Sequence, residues 1–206
     1  MGYQAVWLIV EGSCILTGIA FNGVTEEGEP LWDGVKNIQL RKFEFGMTFR
    51  SVVEAFNCNT NQWAFQYLFK RLRFLGNKHL SQVLTLLFLA IWHGLASGYI
   101  ACFLFEFVCM VTEQSCLRFL DRVPRFVAFT TSKQVFPLTF AVTRLWVLFG
   151  CTYGFTAFGV LTYEKWWFLY KNIYFCGHIA FPVLMLLAEL GCLVVKKPIR
   201  RDSKTD

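Results

Sequence analysis

The stretch Leu80–Val111, LSQVLTLLFLAIWHGLASGYIACFLFEFVCMV, decides the fold. From Val83 onward everything except His93, Glu106 and a few small polar residues is apolar or glycine. That is the composition of a segment dissolved in lipid, not of an amphipathic surface helix. An unbroken helix over Val83–Val111 would be about 43 Å long, against roughly 30 Å of hydrocarbon in a bilayer. It must therefore tilt, protrude or break, and Gly94-Leu95-Ala96-Ser97-Gly98 is the weak point. That run follows directly on Trp92-His93, and His93 lies about 15 Å into the membrane if Val83 marks one edge.

The rest of the composition agrees. Of 206 residues 55% are hydrophobic and only 17% charged, which with a mean hydropathy of +0.45 indicates an integral membrane protein. The net charge of +6 is gathered in patches at Lys70/Arg71/Arg73/Lys78 and Lys196/Lys197/Arg200/Arg201/Lys204, while Glu26/Glu27/Glu29/Asp33 form an acidic patch. Basic clusters beside apolar segments favour anionic lipid headgroups or a cytosolic side, not nucleic acid. The eight cysteines form neither a CxxC pair nor a metal-ligand spacing and read as small core residues. Met1 is followed by an apolar run without a basic leader or cleavage site, so a secretory signal is not expected.

Along the chain, Tyr3–Phe21 is long enough to span, with Glu11 inside it and expected to point into a bundle, hydrogen-bonded. Asn22–Gly34 is a polar loop, and Val35–Arg50 mixes charge with Phe43, Phe45 and Phe49 and lies at the interface. Gln62–Leu75 reads as an amphipathic helix that Gly76-Asn77 stops, with Asn59 and Gln62 spaced like a capping box. Thr112–Gln134 is a surface connection. Pro137–Leu161 is a further span carrying Arg144. Tyr163–Tyr174 forms an interfacial aromatic and lysine belt, and Ile173–Val195 is the last span. The expected architecture is an all-α polytopic transmembrane helical bundle of about four to five spans, with amphipathic interfacial helices between them. Residues 196–206 form a basic tail, which the positive-inside rule puts in the cytosol.

Among the histidines, His79 sits in a basic loop and His178 near a membrane edge, so both read as interfacial. His93 differs: burial among aliphatic side chains disfavours the charged imidazole and leaves a neutral ring able to accept a proton. A histidine hydrogen-bonded between helices fits the same position equally well. Gly94 and Gly98 form a GxxxG pair that lets another helix or a substrate approach the backbone. No nucleophile elbow, Walker loop, dinucleotide fingerprint or metal-ligand cluster occurs. The chemistry left is a membrane-embedded base, with an asparagine from Asn57, Asn59 or Asn61 as polar partner, acting on a hydroxyl.

Phe56-Asn57-Cys58-Asn59-Thr60-Asn61-Gln62-Trp63, Phe69-Lys70-Arg71-Leu72, Phe74-Leu75-Gly76-Asn77-Lys78 and Leu89-Ala90-Ile91-Trp92-His93-Gly94 with Ser97-Gly98-Tyr99 resemble the membrane-bound O-acyltransferase family, and within it the phospholipid-remodelling acyltransferases. The likeness extends to Cys14–Gly18 with Phe21-Asn22-Gly23 upstream and to Tyr174-Phe175-x-Gly177-His178 downstream. Members carry further spanning helices before the region matching Tyr3, so residues 1–206 resemble the C-terminal part of the domain, a fragment of a larger bundle. The resemblance implies that His93 and Asn57 are the catalytic pair. It also implies that acyl-CoA is the co-substrate, with no cofactor or metal, that a lysophospholipid is the acceptor, and that the chain lies in the endoplasmic reticulum membrane. Lys70, Arg71, Arg73, Lys78 and Trp92 are the substrate-binding candidates, the four cations as a rim for CoA phosphates or for anionic lipid. Homo-oligomers or association with the N-terminal helices are expected. A catalytically inactive membrane protein that associates with a full-length relative is the other functional class the residues allow.

Overall fold

The structure, a computed structural model, describes residues 2–197, of which the last two, Lys196 and Lys197, are all it covers of the expected basic tail. Residues 198–206 lie outside the described part. The chain forms two units, Met1–Thr85 and Leu86–Asp206.

The first unit opens with α1 (Gly2–Leu16), shorter than the span expected over Tyr3–Phe21. The Thr17 hydroxyl donates to the Ser13 carbonyl and Gly18 turns the chain out of the helix at φ +79°. At 15 residues, about 22 Å, α1 falls short of a bilayer's hydrocarbon. The acidic loop that follows is held by backbone hydrogen bonds between Asn22 and Leu31 and between Thr25 and Glu29, and by Asn22 Nδ2 donating to Asp33 at 3.0 Å.

Two short helices come next, α2 (Leu40–Phe45) and α3 (Phe49–Ala55). The capping box of this region lies at Thr48 and Ser51, which start α3, and not at Asn59 and Gln62. Helix α4 (Cys58–Ala64) is instead entered through Asn57. The amphipathic helix expected over Gln62–Leu75 is uneven: a wide turn of π geometry at Phe65–Phe69 gives way to a tight 3₁₀ turn at Arg71–Leu75, stopped by Gly76 at φ +68°. Asn77 Oδ1 then accepts the His79 and Leu80 N–H groups at 3.0 and 3.1 Å and so caps α5 (Lys78–His93). α5 carries the chain into the second unit and ends on His93, where the expected break falls.

Within the second unit, α6 (Ser97–Leu120), α8 (Phe136–Val160) and α10 (Cys176–Val194) are long and apolar enough to cross a membrane. Among the described residues these three helices meet that test; α1 is apolar but shorter, and α5 has 16 residues. α7 (Pro124–Thr130) and α9 (Tyr163–Asn172) are the short connectors, α9 carrying the aromatic belt. Residues 112–120, expected on the membrane surface, continue α6 instead. α6 buries a stripe of Gly98, Cys102, Phe105, Cys109, Thr112 and Ser115, at the three- and four-residue spacing of one helical face. The two cysteines are thus packing residues. Small residues set the approach: a Cβ on Gly98 would lie 2.2 Å from the Ala157 carbonyl oxygen of α8, and one on Gly177 2.7 Å from the Tyr153 ring. Phe181 of α10 is fully buried and stacks on Trp146 at 4.4 Å. Thr112 Oγ1 donates to the Phe181 carbonyl, and Arg118 pairs with Glu189. The outward residues Leu138, Val142 and Leu145 of α8 and Ile179, Val183, Leu186 and Leu190 of α10 are exposed, a surface for which lipid is the natural solvent.

Candidate active site

Asn57 sits where α3 hands over to α4. Its backbone is left-handed, φ 49° and ψ 49°, a conformation asparagine tolerates better than most residues. Asn37, twenty positions upstream, holds it there. Asn37 Nδ2 donates to Asn57 Oδ1 at 3.1 Å, Asn37 Oδ1 accepts the Asn59 N–H at 3.1 Å, and the Asn37 carbonyl accepts the Cys58 N–H at 3.0 Å. With its oxygen engaged, Asn57 is oriented so that its amide N–H groups can donate to a ligand. Asn61 is used differently. Its Nδ2 donates to the Val53 and Phe56 carbonyls, both at 2.7 Å, closing the C-terminal end of α3. The asparagine cluster thus divides into one residue held in an unusual backbone conformation and one that serves the backbone. Cys58 is no nucleophile: its thiol donates to the Glu54 carbonyl, and burial pushes it above its ordinary value, so it stays protonated.

His93 is the last residue of α5. Four rings surround it instead of the aliphatic side chains expected: Trp92 at 5.0 Å, Phe158 of α8 at 5.2 Å, Phe103 at 5.6 Å and Tyr99 at 5.7 Å between centroids. The imidazole is half-buried, and among the described residues neither ring nitrogen makes a hydrogen bond, unlike an interhelical structural histidine. Gly94 serves the Tyr99 contact. Its φ is +137°, and a Cβ there would lie 3.2 Å from the Tyr99 ring. Gly98, the other half of the GxxxG pair, is spent on packing against α8, where its N–H donates to the Leu161 carbonyl at 2.8 Å. Ser97 is fixed as well, accepting from Trp166 Nε1 at 3.0 Å. Trp92 is largely exposed beside the imidazole.

The four basic candidates belong to the first unit. Lys70, Arg71, Arg73 and Lys78 are all exposed, on or next to the tight turn before α5, and Lys70 Nζ lies 5.1 Å over the Phe65 ring. His178 is tied to the second unit's core by a 2.6 Å hydrogen bond between its Nδ1 and the Tyr153 hydroxyl, while the Tyr170 hydroxyl donates to the Tyr153 carbonyl at 2.8 Å. Glu11 departs from expectation. Its Oε2 is buried, and among the described residues it has no hydrogen-bond partner.

Asn37 and, apart from Trp92, the aromatic surround of His93 were not among the site candidates read from the sequence. Tyr99 and Phe103, one helical turn apart just after the glycine break, carried a signal at i,i+4 spacing. Asn37 and Phe158 carried none, because their partners are 20 and 65 positions away.

Comparison with known proteins identifies the family. The profile of the membrane-bound O-acyltransferase family matches residues 1–160. Human lysophospholipid acyltransferase 5 is 45% identical over 187 residues, covering 90% of this chain and 38% of the human one. The Drosophila melanogaster protein of the same name is 36% identical over 90% of this chain and 37% of its own length. The lysophospholipid acyltransferase of Schizosaccharomyces pombe is 32% identical over the whole of this chain and 39% of its own. The chain thus spans about two fifths of the length of the relatives it matches. A helical chain with apolar spans and a profile match over most of its length meets one description: it belongs to the membrane-bound O-acyltransferase family.

Proposed function

We propose that this chain carries the catalytic residues of an acyl-CoA:lysophospholipid O-acyltransferase, with His93 as general base and Asn57 as a donor to the developing oxyanion. An imidazole ringed by aromatic side chains, with no hydrogen bond to either nitrogen among the described residues, carries the assignment. Such a ring is held in place by packing while its basic nitrogen stays available. The likeness to lysophospholipid acyltransferases supports the acceptor class.

In the reaction, a His93 ring nitrogen takes the proton of the glycerol sn-2 hydroxyl as its oxygen attacks the thioester carbonyl. A C–O bond forms and the carbonyl becomes an oxyanion, to which Asn57 Nδ2 donates. The C–S bond then breaks, CoA leaves as thiolate, and the imidazolium returns the proton. A thiolate is a good enough leaving group that no separate acid is required. The endoplasmic reticulum is the membrane concerned, with the basic tail on its cytosolic side.

Membranes of an acyltransferase-deficient cell carrying this chain should convert lysophosphatidylcholine and a polyunsaturated acyl-CoA into phosphatidylcholine, one CoA thiol appearing per ester formed. Thiol release without ester, or no turnover in membranes that contain the chain, would contradict the proposal.

The exposed turn with Lys70, Arg71, Arg73 and Lys78 fits a rim that receives the CoA phosphates. Lys70→Glu with Arg71→Glu should raise the apparent KM for acyl-CoA about tenfold while that for the lysophospholipid stays put. An unchanged acyl-CoA KM would assign these cations to anionic lipid instead.

A further inference from the structure

Glu11 is the one charged residue of α1, and its Oε2 is enclosed without a hydrogen-bond partner among the described residues. A carboxylate oxygen left without a donor in such surroundings is costly, and a cation brought beside the carboxylate would offset that cost by its charge.

The surroundings narrow the ligand. Trp7, one helical turn before Glu11 on the same face of α1, packs against Phe56 with ring centroids 4.6 Å apart. Phe43 meets Phe56 from α2 at 5.5 Å. All three rings are half-buried, so part of each remains accessible. Phe56 immediately precedes Asn57, which ties this cluster to the segment bearing the oxyanion donor. A carboxyl one helical turn from Trp7, at the end of this run of rings, suits a large, weakly hydrated cation, which the ring quadrupoles attract and the carboxylate neutralises.

We infer that Glu11, with Trp7, Phe56 and Phe43, receives the cationic ammonium headgroup of the lysophospholipid acceptor and so sets headgroup preference. This rests on the acyltransferase reading for the identity of the ligand. It adds a specificity-determining residue on α1 to the two residues assigned to the chemistry.

The test is direct binding. The full chain in maltoside micelles is titrated with lysophosphatidylcholine and with lysophosphatidylglycerol of the same acyl chain. The unmodified chain should bind the choline lipid about tenfold more tightly. Glu11→Gln should bring the two affinities together by weakening lysophosphatidylcholine alone. Trp7→Leu, which leaves the carboxylate in place, should reduce the preference severalfold and carries the same test if Glu11→Gln does not fold. An unchanged preference in the folded variants, or an equal loss for both lipids, would overturn the inference. The equal loss would mean that Glu11 braces the fold or pairs with a basic side chain. Acyl transfer is measured on the same preparations, so the two readings fail separately. A chain that keeps the choline preference but makes no ester contradicts the acyltransferase reading alone. One that makes ester without headgroup preference contradicts this inference alone.

Discussion

On the proposed mechanism, His93→Ala should lower the rate of acyl transfer about 10²–10⁴-fold, the range over which a positioned general base contributes to a proton-transfer step. The expectation follows from the surroundings of the ring. Trp92, Tyr99, Phe103 and Phe158 hold the imidazole by packing alone, so its removal deletes a proton acceptor without breaking a hydrogen bond within the described structure. The cavity left by the side chain is lined by aromatic rings and half-open, so added imidazole should restore part of the rate. A histidine with a purely structural role would give no such rescue. Initial rates of labelled phosphatidylcholine formation at saturating acyl-CoA, with membrane levels of the protein matched, make the comparison. A variant that retains more than a tenth of the rate would remove His93 from the chemistry.

Asn57→Ala should cost about 10²–10³ in kcat with little change in either KM, as loss of an oxyanion donor does. Because Asn57 is left-handed, alanine also strains the backbone, and Asn57→Gly separates the two effects. Glycine accepts φ 49° freely yet supplies no donor, so it should be as slow as alanine. Asn57→Asp keeps the shape of the side chain, replaces the N–H donors with oxygen and repels a developing negative charge. It should be at least as slow as the alanine variant. A glycine variant close to wild type would show that position 57 matters only for the turn into α4.

What could be read from the chain alone follows from the range of the interactions involved. The break after His93 is local: too long an apolar run, a glycine pair, and a helix that ends on His93 with Gly94 at φ +137°. The spans α8 and α10 were legible for the same reason, as was the stop at Gly76. α1 was read too long because the turn at Thr17-Gly18 sits inside apolar sequence that hydropathy does not interrupt. Asn57 was singled out from its cluster only by the family resemblance, and the residue that orients it, Asn37, is twenty positions away in a segment with no pattern of its own. Glu11 was expected to find a partner within a bundle. Among the described residues it finds none, which is where its interest lies.

The proposal that His93 and Asn57 serve a single reaction is tested most directly by measuring acyl transfer to lysophosphatidylcholine for four forms side by side. These are the unmodified chain, His93→Gln, Asn57→Ala and the double variant. Residues that act on one transition state lose their effects together, so the double variant should be no more than about threefold slower than the slower single variant. Losses that multiply, or a His93→Gln chain that turns over like the unmodified one, would contradict the account.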